Sequence, residues 1–131
     1  MISEQLSVLA RNHRELVVYR KAYDAAMEIF RLTESWPRGE MYSMIDQIRR
    51  SSRSICSNIA EGWRRRHFPK HFRSKLIDAD SEVSETETWL EFGVSCNYLS
   101  KEDFDKLEGL YDEVHRMLWS MYNRPDAWKP D

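Results

Sequence analysis

The chain has 131 residues and 15.7 kDa, with 41% hydrophobic and 32% charged positions, which is the size of one compact domain with little room for a second. Four Gly and four Pro are few for a turn-rich β fold, and the charge is too dense and unbroken for a membrane span. Twenty Lys and Arg against 22 Asp and Glu give a formal charge of −2, an average that predicts no polyanionic partner.

Residues 1–14 read as an N-terminal extension. Residues 1–12 hold Glu4 and Arg11 around a short run of Leu6, Val8 and Leu9, without the basic start and long apolar stretch of a secretion signal, so a cytoplasmic product is expected. Cys56 and Cys96 fall inside helical patterns, too few for a disulfide framework and expected as small core residues.

Four helices are predicted. Over 15–35, Leu16, Tyr19, Tyr23, Ala26, Met27 and Phe30 recur at the spacing that keeps one face in a core, and Trp36-Pro37-Arg38-Gly39 then stops the helix. Over 41–61, Met44, Ile45, Ile48, Ser52, Ile55 and Ile59 form a stripe, with Gly62 placed to end the helix in the left-handed conformation. Pro69 opens a third helix over 69–97, faced by Phe72, Leu76, Ala79, Val83, Thr86, Leu90 and Val94. Ser100 caps a fourth over 101–122, faced by Phe104, Leu107, Tyr111, Val114, Leu118 and Met121, and 123–131 reads as a C-terminal tail. Connections this short join antiparallel neighbours, so the predicted fold is all-α, an up-down-up-down four-helix bundle.

Charge along the chain is far from uniform. Between Arg49 and Lys75 stand nine bases (Arg49, Arg50, Arg53, Arg64, Arg65, Arg66, Lys70, Arg73 and Lys75) against the single acid Glu61, a net of +8. Residues 76–131 carry 14 acids and five bases, a net of −9. Two readings fit. Arg49, Arg53, Arg64, Arg65, Arg66, Lys70, Arg73 and Lys75 form a nucleic-acid-binding patch that releases counterions from RNA or DNA, with His67, Phe68, His71 and Phe72 interleaved to stack on unpaired bases. Alternatively the basic region meets acidic helices, within or between subunits, and the chain is a structural or adaptor oligomer for a protein partner. Arg49 and Arg50 are placed to pair with carboxylates such as Glu82 or Glu85 while the loop arginines stay free.

Catalytic patterns are thin. No Glu stands three positions before a His, and Asp112 with His115 is half a metal site at most, so no metal, cofactor or catalytic set is expected and the chain reads as non-enzymatic. Asp78, Glu82 and Glu85 share a helix face, as solvated surface charge usually does. Arg66, four residues and then His71 resemble the Arg and His pattern of helical ribonucleases of the HEPN type, which act on a scissile phosphate; an Arg-rich stretch beside a His also produces this spacing by chance.

The run Gln47-Ile48-Arg49-Arg50, followed by Ser54 and Asn58-Ile59-Ala60-Glu61-Gly62, resembles the second helix of the 23S ribosomal RNA intervening sequence proteins. Val18-Tyr19-Arg20-Lys21-Ala22 and the Trp36-Pro37 turn are similar too, and the likeness spans 16–121. Asp80 departs from the family, standing where many members have Gly. The resemblance implies a homo-oligomer, with relatives forming five-fold rings, and a nucleic-acid connection: members are encoded within ribosomal RNA insertions. A related branch serves diversity-generating retroelements and binds reverse transcriptase, so an acidic protein partner is the other expectation. Within the matched motif, Asn58 is expected to bridge to a neighbouring helix and Glu61 to hold one of Arg64 to Arg66.

Overall fold

A computed structural model of the chain describes residues 10–130; residues 1–9 of the predicted extension and Asp131 lie outside the described residues. The fold is all-α, with four helices: α1 (Val17–Thr33), α2 (Asp46–Arg64), α3 (Pro69–Ser95) and α4 (Lys101–Tyr122). Single 3-10 turns cover His13–Glu15, Arg38–Glu40 and Pro125–Trp128, a wider π turn covers Met41–Ile45, and no strand occurs among the described residues. No helix among them is long and apolar enough to cross a membrane.

The stripes on α2, α3 and α4 build the core. Ile48, Ile55 and Ile59 meet Phe72, Leu76, Ala79, Val83 and Leu90 of α3 and Leu107, Tyr111, Val114 and Leu118 of α4, all fully or nearly fully buried. On α1 the expected stripe is displaced. The buried residues are Val18, Ala22, Ala25, Ile29 and Thr33, while Tyr23 (51% exposed) and Met27 (38%) face outward and Tyr19, Ala26 and Phe30 are half-buried. Small Ala22 and Ala25 let α1 settle close to a core that the other helices already fill with Ile and Leu.

Two boundaries depart from expectation. Met41–Ile45 forms the π turn, so regular α2 starts only at Asp46 and runs on to Arg64. Gly62 therefore lies within α2, buried and without positive φ; its role is close approach, because a Cβ there would sit 3.1 Å from Lys75 Cβ and 3.5 Å from Leu76 Cδ2. Left-handed backbone occurs instead at Asn97 (φ 63°), just past α3, where Tyr98 N–H donates to Gly93 O (2.8 Å) and Asn97 N–H to Val94 O (3.0 Å). These are the paired bonds of a Schellman cap, with Asn in the place usually held by Gly. Cys56 is buried, and burial pushes its thiol up to about 11, whereas Cys96 is exposed at the end of α3.

Polar contacts link the helices in pairs. Arg50 of α2 forms ion pairs with Glu82 (3.4 Å) and Glu85 of α3, Thr86 Oγ1 donates to Ser51 Oγ (2.8 Å), and Lys75 pairs with Glu61 (3.0 Å). Lys21 of α1 pairs with Glu113 of α4 (2.7 Å). Between α3 and α4, Asp80 sits 2.7 Å from His115 Nδ1 and accepts from Tyr122 OH (3.0 Å), so Asp80 ties these helices together.

The same α3–α4 seam holds like charge. Burial first, then the hydrogen bond and charge of Glu108 and the charges of Asp112 and Asp80, push the Glu87 carboxyl up to about 8. A folded-state value above the unfolded 4.5 favours the fold while the group is protonated, and that contribution is lost as pH rises from about 4.5 through about 8. The urea midpoint is expected to fall across this range, and Glu87→Gln should flatten the decline. At the other end of α3, a Cβ on Gly93 would stand 2.9 Å from Cη2 of the buried Trp36 ring. Gly93→Ala should therefore destabilise the protein by about 1–3 kcal/mol in chemical denaturation, as overpacking does.

Candidate nucleic-acid interface

Three separate stretches of chain meet at the α2–α3 connection. The turn His13–Glu15 packs on α1 and α2, where Asn12 caps it by accepting from Arg14 N–H (2.9 Å) and Glu15 accepts from Arg11 N–H (2.6 Å). The turn Pro125–Trp128 packs on α3 and α4 because Trp128 is buried there, its ring 6.2 Å from Trp63 and 6.5 Å from Phe72. Around this corner, residues 11–15, 61–75 and 124–129 together hold ten Lys and Arg against the acids Glu15, Glu61 and Asp126. The electrostatic effect is visible at His13: burial, then the charges of Arg14 and Arg64, hold its imidazole below the ordinary histidine value.

The corner sorts its cations into two kinds. Arg66 is structural: its guanidinium lies 3.9 Å from the Trp63 ring centroid and donates to Trp63 O (2.9 Å), and burial lowers its pKa. Lys75 is held by Glu61, and Arg73 lies 5.9 Å from the Tyr122 ring. Arg64, Arg65 and Lys70 are exposed, and so are His67 and His71. Beside them Phe68 is 64% exposed, its ring 5.8 Å from that of His71 and tilted by 40°. An aromatic side chain this exposed among cations offers a stacking surface within an electrostatic field, while Phe72, which was grouped with it, is fully buried.

Other expected site residues lie elsewhere or act differently. Arg49 and Arg53 sit on α2 against α1, both over the Phe30 ring at 4.6 and 5.8 Å, about 16 Å or more along the helix from Arg64 at 1.5 Å per residue. Only Arg50 reaches Glu82 and Glu85; Arg49 instead donates to Thr33 Oγ1 (2.9 Å) and Phe30 O (3.3 Å). Asn58 turns back on its own helix, donating to Ser54 O (3.0 Å), and Glu61 holds Lys75 rather than a loop arginine. The stretches that pack at the corner also carry Arg11, Arg14, Arg124 and Lys129, which lie far away in sequence, with Arg124 donating to Ser120 Oγ of α4 (2.7 Å). Trp128 was the available signal, since a large apolar residue in a polar tail needs somewhere to be buried.

No group of three His, Cys, Asp or Glu among the described residues is placed to hold a metal ion. Asp112 pairs with Arg116 and His115 with Asp80, so the Asp112 and His115 spacing makes no joint site. Glu82 and Glu85 are engaged by Arg50. The Arg66 of the ribonuclease-like pattern is committed to Trp63 while His71 faces solvent.

Comparison with known proteins agrees with this fold. The family described as 23S rRNA-intervening sequence protein matches residues 14–120. A crystal structure of a protein of unknown function from the S23 ribosomal protein family of Bacteroides thetaiotaomicron is similar at 30% identity, with a TM-score of 0.73, covering 81% of this chain and 98% of that one. No curated protein matches the chain. The chain belongs to the 23S rRNA-intervening sequence protein family.

Proposed function

We propose that the chain is a non-enzymatic, oligomeric protein that binds RNA or a ribonucleoprotein in the cytoplasm through its basic corner. The observation that carries this reading is the exposed Phe68 and His71 ring pair set among Arg64, Arg65 and Lys70, where the three stretches that meet contribute the acids Glu15, Glu61 and Asp126 and two of these are engaged locally. Phosphate contacts from unpaired guanidinium and ammonium groups give salt-sensitive, largely sequence-independent affinity, and an exposed ring adds a preference for unpaired bases. The family's name, which refers to ribosomal RNA, is consistent with this ligand.

The helices are arranged up-down-up-down in this proposal. Contacts that support it run in opposite directions along each pair: Ser51 meets Thr86 while Glu61 meets Lys75, and Asp80 meets His115 while Arg73 meets Tyr122. Self-association, five-fold by resemblance, is supported by the outward face of α1, where Tyr23 and Met27 leave large apolar side chains in solvent beside half-buried Tyr19. A ring would gather several copies of the corner into one field.

Three measurements test the proposal. Arg64→Ala, Arg65→Ala and Lys70→Ala together should weaken binding to a single-stranded RNA and reduce the slope of log affinity against log salt by about 2, since each phosphate contact contributes about 0.7. Binding absent at low salt, or indifferent to the triple change, favours the adaptor reading with a protein partner. By light scattering, Tyr23→Glu with Met27→Glu should lower the subunit count without unfolding the chain; a monomeric wild-type chain ends the oligomer proposal. Structured and single-stranded RNAs should be recovered intact after incubation with either wild-type protein or His71→Ala.

A further inference from the structure

The basic residues that the fold removes from the corner stand together on another part of α2. Arg49, Arg53 and Ser57 stand at intervals of four along α2 and line an open groove of about 560 Å³, whose other end is formed by Met41, Ile45 and Asp46. Arg49 is held in place: Nε donates to Thr33 Oγ1, a second guanidinium nitrogen to Phe30 O, and the group lies over the Phe30 ring. Arg53 lies over the same ring, so the two guanidiniums are within about 10 Å of each other. Arg50 also lines the groove, but Glu82 and Glu85 hold it. Among the described residues neither Arg49 nor Arg53 forms an ion pair with a carboxylate, so two cations share one ring with no anion between them.

The geometry points to this groove as a binding site for a phosphate monoester of the mononucleotide class, separate from the nucleic-acid corner. Two neighbouring cations repel each other, and a dianion relieves that repulsion where a single carboxylate would leave half of it. Guanidinium nitrogens suit phosphate oxygens: Arg53 presents its fork, and Arg49, whose Nε and one terminal nitrogen are engaged by Thr33 and Phe30, presents its remaining nitrogen, while the Ser57 hydroxyl donates to Ser54 O (3.1 Å). Asp46 stands one turn before Arg49 in the same groove and repels an anion, which biases the phosphate toward Arg53 and the side of Arg49 that faces it. The body of the ligand then lies over Met41 and Ile45, with its own hydroxyl or amino donors toward Asp46. A volume near 560 Å³ suits a ligand of that size.

Titration calorimetry on the full chain at low salt, with adenosine monophosphate, adenosine and inorganic phosphate as probes, tests this. The monophosphate should bind saturably and about tenfold or more tighter than inorganic phosphate, and adenosine should not bind. Arg53 is exposed, so Arg53→Gln should leave the fold intact and weaken the monophosphate by about tenfold or more. Arg64→Gln with Arg65→Gln should change it by no more than about twofold, which separates this site from the corner whether or not the corner binds RNA. A 5′-phosphorylated RNA gaining affinity over its 5′-hydroxyl form, with the gain lost in Arg53→Gln, would identify a chain terminus as the ligand. No such gain, with monophosphate binding retained, would identify a free mononucleotide. Adenosine binding as well as its monophosphate, or monophosphate binding that is absent or unchanged by Arg53→Gln, overturns the site.

Discussion

Everything at the basic corner depends on how closely α2 approaches α3. Gly62 leaves room for Lys75 Cβ and Leu76, so the last turns of α2 lie directly against the first turns of α3. Further along the same pair, Ser51 and Thr86 satisfy each other in the core and Arg50 joins Glu82 and Glu85. A buried hydroxyl pair left half-satisfied costs about 1–3 kcal/mol, so this contact also specifies register. With register set, the short connection between Arg64 and Pro69 has no route into the interior. Arg64, Arg65 and Phe68 are held out in solvent and Arg66 folds back on Trp63, while Trp63 and Phe72, on either side, are drawn in.

That packing sorts the cations by their partners. Arg50, Arg66 and Lys75 stabilise the fold through carboxylates, a carbonyl and an indole ring. Arg49 and Arg53 are drawn toward α1 by Phe30, a half-buried aromatic on the face of α1 that the core does not use. Arg64, Arg65 and Lys70 remain at the corner, joined there by cations from both ends of the described chain. A run of nine bases along the sequence thus becomes an exposed group at the corner, a pair over Phe30 and a set of braces, with Arg73 over the Tyr122 ring.

The all-α class and three of the four core stripes were legible because Ile, Leu and Val at helical spacing leave one choice of face. On α1 two overlapping stripes compete. Tyr19, Tyr23, Met27 and Phe30 carry more apolar surface than Ala22 and Ala25, yet the smaller residues face inward, since what fits beside three Ile-rich and Leu-rich helices is set by space and not by hydrophobicity alone. The π turn at Met41–Ile45 was hidden for a similar reason: Met44 and Ile45 are buried in either helical form, so their periodicity does not reveal the widened backbone. Gly62 looked like a helix terminator because glycine at the end of a periodic run serves both as a cap and as a point of close approach. Only the neighbouring helix distinguishes them. The corner itself was half legible, since its α2–α3 segment is contiguous, whereas Arg11, Arg14, Arg124 and Lys129 join it through tertiary packing alone.

The same reasoning explains how a chain of formal charge −2 presents a cationic surface. Acids outnumber bases on α3 beyond Leu76 and on α4, and at their seam burial, reinforced by the neighbouring carboxylates, pushes the Glu87 carboxyl up to about 8. Opposite charges placed at different parts of one small domain are not neutralised internally when the helices between them are stiff and the Debye length is about 8 Å in physiological salt. They act as separate fields. An anion approaching the corner meets the local excess of cations, and the acids on the far part of α4 lie beyond the distance at which they could screen it.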